Sequence, residues 1–361
     1  MIPLSLPAVS DAEQPFIARL RSSATLDLGE RDALLIDEDE VGGSYAAADG
    51  LFAIDGVPAV QLDGDVVLVQ PGPGRIERLL RAGSRHNTLL VTERCDQLCV
   101  MCSQPPKKTH VDRFDYLEQA CLLAEPHSLI GISGGEPTLY KKRLLSMVER
   151  VLTDRPDIQF HILTNAQHFD DDDIHLLRQP LYRRVSWGIP LYASDASMHD
   201  EIVGKRGAFL RLFESFGVLL ASAARVELRT VLLTSNADEL PALARFISAK
   251  LRFIEVWSLM QLENTGFAKG RWQDLRYNHG SRFEPVAEAL DVMNLNGVAA
   301  QLFNFPRCSV PRPYRNFAVA SISDWKRKYA PACVTCTERE LCTGFFEWHP
   351  SDEAEAEVTP L

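Results

Sequence analysis

The 361-residue sequence contains no run of about 18 apolar residues, so no membrane-spanning helix is expected. Its first residues, Met1-Ile2-Pro3-Leu4, lack a basic segment followed by a hydrophobic one, which argues against a secretory signal. Basic residues are outnumbered: 38 Lys and Arg against 49 Asp and Glu give a net charge of −11. A general nucleic-acid binder is normally basic, and that class is set aside. Disulfides are not expected either. The eight cysteines fall into a group of three, a group of four and one remainder. The reducing cytoplasm, the expected location, disfavours pairing them. What is present is apolar bulk. With 46% apolar residues and a mean hydropathy of −0.10, the chain can bury one large core and a smaller appended unit.

Cys95, Cys99 and Cys102 are spaced Cx₃Cx₂C on a loop after the apolar run Leu89-Leu90-Val91. Closely spaced cysteines in a cytosolic chain are commonly structural zinc ligands. A zinc site needs a fourth ligand, however, and His110 is the only candidate soon after. Three thiolates can instead hold three corners of a cubane iron–sulfur cluster, leaving the fourth iron open to chelate a substrate or cofactor. A second motif, Gly134-Gly135-Glu136-Pro137, ends the apolar stretch Leu129-Ile130-Gly131-Ile132. Paired glycines allow backbone to approach a ligand closely. Glu136 can accept from an ammonium group, and Pro137 suits the first residue of a helix.

From Leu89 to about Phe305, apolar runs alternate with amphipathic segments, the pattern of an α/β fold with βα units around a parallel sheet. Strands are predicted at 89–94, 127–133, 158–164, 184–190, 226–233 and 252–259. Helices are predicted near 113–125, 139–153, 171–179, 207–222, 238–250 and 283–295. Ligands of such folds sit at the carboxyl ends of strands, where both motifs fall. The same rule nominates Thr164 and Asn165 after the third strand, to reach a ribose or carboxylate, or, for Asn165, simply to make a turn. In the fifth strand, alternation puts Glu227 and Arg229 on one face. If the other face packs on helices, the two charges point inward, either satisfying each other or meeting a polar ligand. Cys121, inside a helical segment, reads as a small core hydrophobe.

The flanks differ. Residues 1–84 hold glycine and proline clusters around short apolar runs such as Val66-Val67-Leu68-Val69, a small β-rich unit that could recognise a leader peptide or merely cap the sheet. Residues 306–350 carry Cys308 and then Cys333-x₂-Cys336-x₅-Cys342, four thiols that suit either a closed cubane cluster or tetrahedral zinc. The acidic stretch 351–361, rich in Glu and Ala, is expected to be disordered.

The Cx₃Cx₂C loop with Gly134–Pro137 resembles the signature of the radical S-adenosylmethionine (SAM) superfamily. The resemblance implies a partial (β/α)6 barrel over residues 85–305. It also implies a catalytic 4Fe-4S cluster on Cys95, Cys99 and Cys102, and S-adenosylmethionine bound through Gly134, Gly135, Glu136 and Pro137, with the backbone at Met101 near adenine. Reductive cleavage would then give a 5′-deoxyadenosyl radical that abstracts hydrogen. Thr164, Asn165 and Arg229 are further candidates to contact the cofactor. The fourth strand ends Gly188-Ile189-Pro190-Leu191-Tyr192, without the serine that many members offer the ribose.

The Cx₂Cx₅C spacing resembles the SPASM or twitch auxiliary domains of peptide-modifying members, implying one auxiliary 4Fe-4S cluster on Cys308, Cys333, Cys336 and Cys342. Short blocks narrow the likeness: His86–Cys95, Met101–Lys107, Gly131–Thr138, Ser321–Lys326 and Gly344-Phe345-Phe346 resemble the HxsC-type maturases of the His-Xaa-Ser system. The implied substrate is a ribosomal precursor peptide with His-Xaa-Ser repeats, and oxidative cross-linking is favoured over epimerisation. A second radical SAM maturase and a flavodoxin-type reductant would be partners; nucleic acid and membrane would not. This chain has one such triplet, His279-Gly280-Ser281, which suits an enzyme rather than its substrate. The competing expectations are a radical SAM enzyme acting on a small molecule, and a zinc or electron-transfer protein.

Overall fold

The computed structural model describes residues 2–23 and 28–361. Seven strands at the amino-terminal side, β1 (Ser5–Ser10), β2 (Phe16–Arg21), β3 (Asp32–Glu38), β4 (Gly42–Ala47), β5 (Gly50–Asp55), β6 (Val66–Gln70) and β7 (Arg75–Leu80), close into a barrel of order β1-β5-β4-β3-β2-β6-β7. The four consecutive apolar residues of β6 serve two cores at once, because successive side chains of a strand point to opposite faces. Val67 and Val69 fill the barrel with Tyr45, Phe52 and Ile76. Val66 and Leu68 face outward against helix α1 (Phe114–Leu122), joining Phe114 and Leu117.

The second sheet runs β14-β13-β12-β11-β10-β9-β8 and is parallel throughout. Its strands are β8 (Thr88–Thr92), β9 (Leu129–Gly134), β10 (Gln159–Leu163), β11 (Val185–Pro190), β12 (Arg225–Leu232), β13 (Val256–Gln261) and β14 (Ala300–Phe303). The six predicted strands are all there within a few residues, and β14 is an addition. Helices α2 (Lys141–Asp154), α3 (Asp173–Leu177), α4 (Ala196–Val203), α5 (Ala208–Ala221), α6 (Leu240–Lys250), α7 (Gly266–Lys269), α8 (Trp272–Leu275) and α9 (Glu284–Leu295) follow the strands. Helix α4, not expected, starts where the Asp195 carboxylate accepts from Met198 N–H, the ordinary N-cap bond. The outer face of the sheet buries Ile132, Ile162, Trp187, Leu228 and Trp257 under the helices. Burial of each such side chain contributes roughly 1.5–3 kcal/mol.

After β14 the chain continues in short turns and one two-residue hairpin, β15 (Arg327–Lys328) with β16 (Phe345–Phe346). The Arg81 guanidinium donates to both carboxylate oxygens of Asp324 at 2.9 Å, tying this region to the residues just after β7. The expected disorder of 351–361 is corrected: Ser351–Glu357 is helix α10. Composition misleads there because Glu353 and Glu357, one turn apart, present one carboxylate face to Arg276. Trp272 Nε1 also donates to Glu353 at 3.0 Å, and Ala354 is buried. No helix among the described residues is long and apolar enough to cross a membrane.

Candidate active site

The Cys95–Cys102 loop leaves β8 at the carboxyl edge of the sheet and is gripped by backbone from three directions. Gly135 N–H donates to Thr92 O at 2.8 Å and Glu136 N–H to Arg94 O at 2.7 Å. A Cβ at Gly135 would stand 2.1 Å from Arg94 O, and one at Gly134 2.1 Å from Thr92 O. The close approach that the paired glycines permit is therefore to the cysteine loop itself, where a ligand had been expected. Gly204, with φ +64°, ends α4 so that Leu98 N–H reaches Val203 O at 3.0 Å and Val100 N–H reaches Ile202 O at 2.9 Å. Gly266 at the start of α7 lets Phe267 N–H bond Cys102 O at 2.8 Å, and Arg271 donates to Val100 O. Cβ atoms at Gly204 and Gly266 would fall 2.5 Å from Leu98 O and 2.2 Å from Cys102 O. The Met101 side chain, 6% exposed, anchors the loop among Tyr192, Ile202, Val203, Ala268 and Trp272.

The three thiols are half-buried and free of disulfides. Burial pushes Cys99 up to about 12, with Cys102 and Cys95 adding to the push, and pushes Cys95 up to about 11. Cys95 and Cys99 thus feel the charge of neighbouring sulfurs, and an electropositive centre is what turns such thiols into thiolates. A tetrahedral zinc site with Zn–S bonds of about 2.3 Å would draw sulfurs to within about 3.8 Å of one another. Among the described residues, no three cysteine sulfurs lie within 4.8 Å of one another. The donor set fits a polynuclear iron–sulfur centre better than a single ion.

Glu136 is fully buried and its carboxylate is turned to the protein. Thr138 N–H (2.8 Å), Thr138 Oγ1 (2.6 Å) and Thr164 Oγ1 (2.7 Å) donate to Oε1, and Asn165 N–H (2.5 Å) to Oε2. These donors come from the turn after Glu136 and from the end of β10. Burial pushes its carboxyl up, against the pull of Thr138, Asn165 and Thr164. Pro137 opens the short turn that leads into α2. Asn165 Nδ2 donates to Asp96 Oδ1 at 2.7 Å and lies 4.0 Å from the Cys95 sulfur. Burial would raise Asp96, but His168, Lys205 and Asn165 hold it well below the usual carboxylate range. Asp96, His168 and Lys205 were missed by sequence reasoning; the one local signal is a carboxylate directly after the first cysteine.

In β12, Glu227 and Arg229 share the face away from the helices, as alternation predicts, and satisfy each other at 3.0 Å. Ser258 donates to Glu227, His161 Nε2 lies 2.6 Å from it, and the Arg229 guanidinium sits over Phe303. Burial would raise Glu227, but Arg229 and His161 hold it down to about 2. His161 and Arg229 meet across β11 only because Gly188 lies between them: a Cβ there would be 3.0 Å from His161 Nε2 and 3.1 Å from Arg229 Cδ. A glycine inside a strand signals such an approach, and it could have found His161.

Cys308, Cys333, Cys336 and Cys342 converge as well. All four line one pocket. The Cys342 sulfur accepts from Arg307 N–H at 3.4 Å and Gly344 N–H at 3.5 Å, the kind of amide support that cluster thiolates use. Four thiols around one pocket suit a closed cubane cluster or tetrahedral zinc.

The parallel α/β sheet thus carries one group of three thiols at its strand ends, with a second group of four in the turns that follow β14. Residues 89–247 match the family model described as Radical SAM superfamily. No curated protein matches the chain. Among solved structures, SuiB of Streptococcus suis bound to S-adenosylmethionine shares 17% identity over 62% of this chain and 52% of SuiB, with a TM-score of 0.49. The chain thus spans about half the length of SuiB. Native anSMEcpe with bound AdoMet shares 14% identity over 59% of this chain and 63% of its own, TM-score 0.49. A radical SAM methyltransferase from Sphaerobacter thermophilus shares 14% over 75% and 77%, TM-score 0.46.

Proposed function

We propose that this enzyme is a maturase of a ribosomally made peptide, of the His-Xaa-Ser kind, and that it forms an oxidative cross-link. The observation that carries the reading is the pairing of sites in one chain: three thiols on a loop at the strand ends, and four thiols around a separate cavity. The sequence blocks shared with HxsC-type maturases support the peptide substrate. SuiB has also been solved bound to its precursor peptide SuiA, a property of that protein.

In this reading Cys95, Cys99 and Cys102 hold the catalytic cluster, and Cys308, Cys333, Cys336 and Cys342 hold the auxiliary one. With S-adenosylmethionine bound, the catalytic cluster supplies a 5′-deoxyadenosyl radical. The protein's part is orientation and exclusion of water. Gly134 and Gly135 fix the loop against β9. Glu136 fixes Thr164 and Asn165, and Asn165 in turn steadies Asp96 beside Cys95. Pro137 sets the turn into α2, Met101 pins the loop from below, and Arg229 offers a cation to a carboxylate in the lumen.

The test is anaerobic incubation of the reduced, iron-loaded enzyme with S-adenosylmethionine and a short His-Xaa-Ser peptide encoded nearby. A loss of two mass units per cross-link together with 5′-deoxyadenosine supports the reading. Cofactor cleavage with the peptide mass and stereochemistry unchanged would move the substrate to the small-molecule class.

A further inference from the structure

We propose that Ser351–Leu361 is the cap of the four-cysteine cavity, making it a closed electron-transfer site with no iron offered to substrate. This rests on the auxiliary-cluster reading above. Val358 and Pro360 line the same cavity as the four cysteines. Leu361 O accepts from Thr337 N–H at 2.8 Å and from Thr337 Oγ1 at 2.9 Å, and Thr337 directly follows Cys336. The segment is thus tied by its backbone beside Cys336 and lines the site through Val358 and Pro360.

Its other end is anchored away from the cavity. Glu353 accepts from Trp272 Nε1 at 3.0 Å and Gln273 Nε2 at 3.3 Å, and Glu357 pairs with Arg276. Trp272 belongs to α8, one residue beyond Arg271, which holds the first cysteine loop through Val100. One pair of short helices therefore grips the Cys95–Cys102 loop on one side and the cap on the other.

A four-iron cluster takes four protein ligands, so four thiolates leave no open corner. A segment lying over that site also limits solvent there, and the Arg307 and Gly344 amides draw charge from the Cys342 sulfur. Such a site suits an electron acceptor, whereas a site that chelates a small molecule needs both an open iron and an open mouth.

Two variants of the full chain test the cap: a stop after Pro350, and Glu353→Gln with Glu357→Gln, which frees the anchor without deleting anything. Without iron, alkylation by iodoacetamide is followed by mass spectrometry, with buried Cys121 as the control for folding. Cys308 should react roughly tenfold faster in both variants, because labelling follows the open population. Equal rates in the intact chain and the double variant would overturn the cap. A parallel arm loads iron and sulfide into chains carrying Cys95→Ala, Cys99→Ala and Cys102→Ala, then adds a chelator. Faster loss of cluster absorbance in the capless forms supports the proposal, and equal loss overturns it. Failure of the intact chain to load iron would remove the auxiliary-cluster reading and, with it, the electron-transfer role; alkylation still decides whether the segment covers the cavity.

Discussion

The Cys95–Cys102 loop collects its thiols from one short stretch and is held by amide bonds from β9, α4 and α7. The second site draws Cys308 from one turn and its other thiols from turns well downstream, beside a hairpin of two residues per strand. Its ties are side-chain contacts such as Arg307 to Glu338 at 2.6 Å and Tyr329 Oη to Cys342 O at 3.1 Å. The difference separates two ways of gathering thiols. In the first the thiols project from a loop held by the backbone of the sheet and helices. In the second they come from separate turns and depend on side-chain contacts between those turns.

The sharpest way to break this contrast is to remove one thiol from each side. Cys99→Ala should abolish 5′-deoxyadenosine formation while the far-ultraviolet circular dichroism stays native. Cys336→Ala should leave cofactor cleavage in place but render residues around 331–349 sensitive to protease. If both variants lose local order to the same degree, the distinction fails.

A smaller effect is expected from the glycine grip. Gly135→Ala puts a methyl group against Arg94 O and should cost about 2–4 kcal/mol, read as a lower urea midpoint for the whole sheet. The smallest effect concerns acid. Glu227, held at about 2 by Arg229 and His161 against an ordinary value of 4.5, adds stability that is complete above pH 4.5. That stability is lost as pH falls toward 2. Glu227→Gln should flatten the slope of stability against pH in that window, without changing iron content at the second site.

Much of the sheet was legible because strands covered by helices on one side read as nearly unbroken apolar runs. β14 escaped because Ala300-Gln301-Leu302-Phe303 is short and carries a glutamine, which turns out to donate to Ser258. Helix α4 escaped because its start is polar and its reason for stopping, Gly204, is a contact with a distant loop. The cysteine groups were visible from spacing, and the structure brings each together. The partners of Glu136 were not visible: Thr164 and Asn165 lie a whole βα unit away, and nothing local says that a carboxylate will turn inward. The 351–361 segment misled because composition counts charges and cannot see that Arg276 waits for two of them.

The amino-terminal barrel has a consequence for how any peptide could be received. Among the described residues each of its seven strands has two neighbours, so an extended chain could add only where a pairing stops short, as on the β2 side of Leu35–Glu38. Elsewhere recognition would work through side chains on the outer wall or through the turns. Fusing a leader sequence should therefore leave the barrel's own hydrogen-bonding network undisturbed.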